Sequence, residues 1–172
     1  MDMVLHFSRE WTEDAMKIDQ ESLASKIKAT AEEIAFGDIL TGTFRAATHH
    51  VMRIFDELGR SLGYEVEIGW LYDMTWYVEE ERVMSDLPMI LECEWDHGPR
   101  HRDEVDSDFQ KLVQARADVR VWISASPKSA SHIENCERQI RLFSGTLPGD
   151  RYIFAVFDWT TGKPIIKQLV LP

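Results

Sequence analysis

Hydrophobic positions along the chain switch between two periods, and the switches mark the elements. From about Thr12 to Phe36, Ile18, Leu23, Ile27, Ile34 and Phe36 are loosely spaced for one buried stripe in a charged, alanine-containing helix, which Gly37-Asp38 ends. A second helix is predicted from about Thr43 to Leu62. There Phe44, Ala47, Val51, Ile54, Phe55 and Leu58 recur at intervals of three and four, and Gly63 stands where a left-handed cap is usual. The period then changes to two. Tyr64 to Trp70 alternates, Asp73 to Val78 is rich in strand formers, and Pro88 to Trp95 reads as a third strand. A helix from about Ser107 to Ala117 follows, with Phe109, Leu112, Val113 and Arg116 on its inner side. A short strand, Val119 to Ile123, and a polar turn, Ser124 to Ser129, come next. His132 to Phe143 is a further amphipathic helix, and Tyr152 to Trp159 and Pro164 to Leu171 form a hairpin across Thr160-Thr161-Gly162-Lys163. The expected order is α-α-β-β-β-α-β-α-β-β, an α+β chain with a mixed central sheet flanked by helices.

With 172 residues, 44% of them hydrophobic, the chain suits a single domain over 1–172. No apolar stretch approaches the roughly 18 residues that span a bilayer. The opening residues lack the basic and apolar regions of a signal peptide. A soluble, cytoplasmic protein without a membrane partner is therefore expected. Cys93 and Cys136 have no paired metal spacing and read as free, buried thiols.

The net charge of −11 argues against a protein that coats nucleic acid by electrostatics alone. Much of the excess is local: ten acidic residues lie between Glu65 and Asp96, against the single basic residue Arg82. Glu79-Glu80-Glu81 fits a solvated turn. Glu92 and Glu94 are different, because they close the apolar run Leu87-Pro88-Met89-Ile90-Leu91 and, one residue apart on a strand, share a face. Two carboxylates at the end of a buried strand are costly unless a cation or a basic side chain neutralises them, which points to a metal site.

Three strands, a helix and a fourth strand, with acids on the second and third strands, resemble the PD-(D/E)xK nuclease superfamily of restriction-endonuclease-like fold. The resemblance covers about Thr43 to Ile123. It leaves 1–42 as an N-terminal helical extension and 130–172 as a C-terminal helix and hairpin. It matches Asp73 to the first acid of the family and Glu92 to the acid of the E-x-K pair, although no proline precedes Asp73. The motif lysine is replaced, so that the third strand reads Glu92-Cys93-Glu94. Some members place the lysine on the following helix, and Lys111 is the candidate there. Its bland reading is a surface residue paired with Asp108 at i, i+3.

The resemblance implies a divalent-metal-dependent nuclease acting on DNA. Asp73, Glu92, Glu94 and the backbone carbonyl of Cys93 would be ligands of Mg²⁺ or Mn²⁺, for which hard oxygens are suited. Lys111 would orient the attacking water or stabilise the phosphorane, and Glu94 would complete a second metal position or act as base. The alternative is a nuclease-fold module without cleavage, used for binding or assembly in a defence or repair system. A protein partner or a homodimer fits either reading. Lesser candidates are His49-His50, the loop set Asp96, His97 and His101 for zinc, Gln110 and Gln114 on the lysine-bearing helix, and the six tryptophans as base-stacking surfaces. Among the last, Trp76 and Trp122 read as core.

Overall fold

The computed structural model describes residues 18–34, 43–95 and 102–172. Helix α1 (Gln20–Glu32) starts at Asp19, whose carboxylate accepts from the amides of Glu21 and Ser22 at 3.0 and 2.9 Å. Helix α2 (Phe44–Ser61) starts at Thr43, whose hydroxyl accepts from Ala46 N. It ends as the sequence leads one to expect, with Gly63 at φ +86° and the amides of Gly63 and Tyr64 bonded back to Arg60 and Gly59 carbonyls. Residues 12–17 and 35–36 of the first expected helix lie outside the described residues.

Six strands form one sheet in the order β1 (Glu65–Ile68), β2 (Met74–Glu80), β3 (Val83–Trp95), β4 (Val119–Ser126), β5 (Arg151–Asp158) and β6 (Lys163–Val170). The first three pair antiparallel, β3, β4 and β5 are parallel, and β6 returns antiparallel. Helices α3 (Arg102–Gln114) and α4 (Ser129–Leu142) make the two crossovers that parallel pairing requires. The chain is thus α+β, with the element order read from the sequence.

Several boundaries move. β3 begins at Val83, because a tight turn at Glu81 and Arg82, both with positive φ, folds it directly back on β2. Ser124 to Ser126 are not a turn but the buried end of β4, paired on one side with Glu94 and Trp95 and on the other with Val156 to Asp158. The next helix begins at Ser129, whose hydroxyl bonds Asp158 across the crossover. Arg116 is not on an inner helical face. It is exposed beyond the end of α3 and donates to the Gly145 carbonyl.

Alternation along the strands sorts the two faces. Met89, Leu91, Cys93 and Trp95 of β3 face α1 and α2, together with Met74, Trp76, Val121, Ile123 and Ile153. Ile90 of β3, Trp122 of β4 and Phe154 of β5 face α3 and α4, where Phe109, Leu112, Ile133 and Ile140 cover them. Trp76 and Trp122 are fully buried, as expected, and so are both cysteines. No helix among the described residues is long and apolar enough to cross a membrane.

Candidate functional site

β3 brings Glu92 to the face covered by α3, in the same alternating set as Ile90, near the carboxyl end where parallel strands commonly present ligand-binding groups. The acid is 2% exposed. Asp73 reaches it from the turn between β1 and β2. That turn is closed by Gly69 N donating to the Asp73 carbonyl at 3.1 Å, with Gly69 at φ +78°. Asp73 Oδ2 accepts from the amide of Cys93 at 2.8 Å, which fixes the carboxylate against the third strand. In a strand the N–H and C=O of one residue point to the same neighbour, so the Cys93 carbonyl lies on the side of Asp73. The Cys93 thiol is buried on the opposite face of the sheet, and burial first, then the nearby acids, pushes its pKa well up.

The third element is α3. Lys111 Nζ stands 3.0 Å from Glu92 Oε1 and 2.9 Å from Asp108 Oδ1. Thus Asp73, Glu92 and Lys111 are brought together from a turn, a strand and a helix. Lys111 and Glu92 form a close ion pair, and the Asp73 and Glu92 side chains also lie within hydrogen-bonding reach of each other.

Burial is the main influence on both acids. It raises the Asp73 carboxyl, partly offset by the Cys93 amide and increased by Asp108. It pushes Glu92 up from 4.5 to about 7, against the pull of Lys111 and with added repulsion from Asp73 and Asp108. Burial works against the Lys111 ammonium too, but Asp108 and Glu92 together overcome it and raise its pKa. The two partners' shifts pull in opposite senses. For Glu92 burial prevails because the side chain is almost sealed, whereas the Lys111 side chain is 46% exposed and its gain is screened by solvent.

Glu94 shares the face of Glu92 and is half-buried beside Ser124 of β4. Among the described residues no three Asp, Glu, His or Cys side chains converge as a metal cage, so Glu94 does not complete a three-carboxylate set with Asp73 and Glu92. Residues 96–101, with Asp96, His97 and His101, lie outside the described residues. His49 and His50 sit in α2, and Gln110 and Gln114 are exposed on α3.

Two neighbours, Asp108 and Tyr72, were not singled out as site residues from the sequence. Asp108 acts on both Asp73 and Glu92 as well as pairing with Lys111. Tyr72 is half-buried against the α3 side of the core, and burial, then Glu92, raises its hydroxyl pKa. Trp70 and Leu71, at 66% and 59% exposure, form the tip of the turn that carries Asp73. No family model, curated protein or solved structure matches the chain.

Proposed function

We propose that the chain is a divalent-metal-dependent phosphodiesterase acting on nucleic acid, with DNA as the substrate and Asp73, Glu92 and Lys111 as its working residues. The observation that carries this reading is the meeting of Asp73, Glu92 and Lys111 at the buried end of β3, where Asp73 Oδ2 accepts from the Cys93 amide and Lys111 Nζ lies 3.0 Å from Glu92 Oε1. Two adjacent buried carboxyls are costly to ionise, and a divalent cation would offset that cost more fully than one half-exposed lysine does. The donor set fits Mg²⁺ or Mn²⁺: two carboxylates and the Cys93 carbonyl are hard oxygens, and Mg²⁺ is commonly held by one or two carboxylates plus water and substrate phosphate. When bound, the ion would polarise a phosphoryl oxygen and lower the pKa of a water.

The residues would then divide the work. Cys93 N–H holds one oxygen of Asp73 and leaves the other for the ion. Lys111, with three donors on a half-exposed stem, would orient the attacking water or meet charge growing on the phosphate. Glu94 stands farther along the same face, where it would act on a proton or a second ion. Trp70 offers an aromatic face for a base next to the turn of Asp73, a contact that does not depend on positive charge and so suits a chain of net charge −11.

A second reading is favoured by a separate observation. Lys111 is already engaged by two carboxylates and no three-ligand cage converges among the described residues, which fits a nuclease-fold module that binds without cleaving. Incubation of labelled single- and double-stranded DNA with Mg²⁺, Mn²⁺ or chelator separates the two. Cleavage that requires the ion, disappears in Asp73→Asn and falls on the order of a hundredfold or more in Lys111→Ala supports the enzyme. Binding of DNA without cleavage under all conditions supports the module.

A further inference from the structure

The candidate site already carries a cation of its own, the Lys111 ammonium. Its two partners differ in kind. Glu92 is sealed on a strand that is paired on both sides, whereas Asp108 is 29% exposed and lies one turn back on the helix of Lys111 itself. Lysine is a point charge with rotatable donors on a flexible stem, so a small swing of Nζ releases Glu92 and keeps Asp108. A divalent ion and an ammonium held against the same buried oxygen would repel each other strongly, and more so than in water. Glu92 Oε1, 3.0 Å from Lys111 Nζ, is the atom for which they compete.

We propose that Lys111 is the resident counter-ion of Glu92 in the cation-free chain, that a divalent ion takes its place, and that Asp108, already paired with Lys111, retains the displaced ammonium. The inference rests on the cation-binding reading above and adds a role for Asp108, as a positioning residue acting through Lys111. Before an ion is bound, the lysine offsets part of the cost of burying the Glu92 charge. The exchange places the ammonium at the mouth of the site once the ion is in, where an incoming phosphate meets it.

The test is a double-mutant cycle on Mn²⁺ affinity, measured by calorimetry at fixed pH and ionic strength on the full chain. It uses wild type, Lys111→Met, Asp108→Asn and the double variant, with circular dichroism to check the fold and Lys111→Gln as a replacement if Met disturbs it. Removing the competitor should tighten Mn²⁺ binding roughly tenfold, the scale of releasing one partly buried ion pair. Asp108→Asn should weaken binding in the wild-type background and have a much smaller effect in Lys111→Met, because the acid then has no ammonium to retain. Equal effects of Asp108→Asn in both backgrounds would mean that Asp108 contributes only its charge, and would overturn the inference while leaving the cation site standing. The exchange is equally overturned, with the site intact, if Lys111→Met and Lys111→Gln bind no tighter than wild type. Failure of all the chains to bind Mn²⁺ would overturn the cation site and this inference together.

Discussion

Replacing Glu92 with glutamine should stabilise the metal-free chain at alkaline pH and leave it nearly unchanged in acid. Burial holds the Glu92 carboxyl at about 7 in the fold against 4.5 when solvated. Below 4.5 both folded and unfolded chains carry the proton and the group costs nothing. Between the two values the unfolded chain gives up its proton while the folded chain keeps it, so stability falls as pH rises; above about 7 the loss is complete. The gap between the two values corresponds to about 3 kcal/mol.

Glutamine keeps the shape of the side chain and lacks the charge. Breaking a buried ion pair ordinarily costs several kcal/mol because the remaining charge is stranded. Here the remaining charge is Lys111, half in solvent and 2.9 Å from Asp108, so the relief at Glu92 outweighs the lost attraction. Urea unfolding in chelator should therefore find Glu92→Gln more stable than wild type by about 2–3 kcal/mol at about pH 8, and within about 1 kcal/mol at about pH 5. A glutamine variant that is less stable than wild type at the higher pH would refute the reasoning, since attraction to Lys111 would then exceed the cost of burial.

Two other expectations follow from single contacts. Trp70→Ala should weaken the binding of single-stranded DNA by about 1–3 kcal/mol in fluorescence anisotropy while leaving thermal stability alone, because the ring is largely exposed and stands at the tip of the turn. Unchanged affinity would remove Trp70 from the substrate path. Gly59→Ala should destabilise the chain by roughly 1–3 kcal/mol in urea, because the new Cβ would meet the Trp76 indole at 2.6 Å and that ring is wedged between Phe55 and Tyr64. A neutral result would show that the Trp76 pocket has slack.

Periodicity located the elements because burial here follows it closely. The alternation that ends in Glu92 reflects a strand with one face under α1 and α2 and the other under α3 and α4. Where polar residues are buried, the pattern misleads: Ser124 and Ser126 look like loop chemistry, yet β4 lies between two parallel neighbours and takes them into the sheet. The exposed first half of β3 carries too little apolar character to be read as strand, and pairing with β2 alone organises it.

The site was legible to a similar depth. Strand face singled out Glu92; Asp73 and Lys111 were reached through the resemblance to the nuclease superfamily, and the structure brings Asp73 against β3 and Lys111 against Glu92. Face is not proximity, however. Glu94 shares the face of Glu92, yet among the described residues no three-ligand group joins it to Asp73 and Glu92. Asp108 was visible only as a helical partner of Lys111, because its action on Asp73 and Glu92 arises from the docking of α3 on the sheet.

The most direct measurement is anomalous diffraction from crystals of the chain grown with Mn²⁺. A peak about 2.1 Å from oxygens of both Asp73 and Glu92, with Lys111 Nζ withdrawn toward Asp108, is the expected result. A fully ordered site with Lys111 still on Glu92 and no peak between the two acids at millimolar Mn²⁺ would contradict a metal-dependent phosphodiesterase built on these residues.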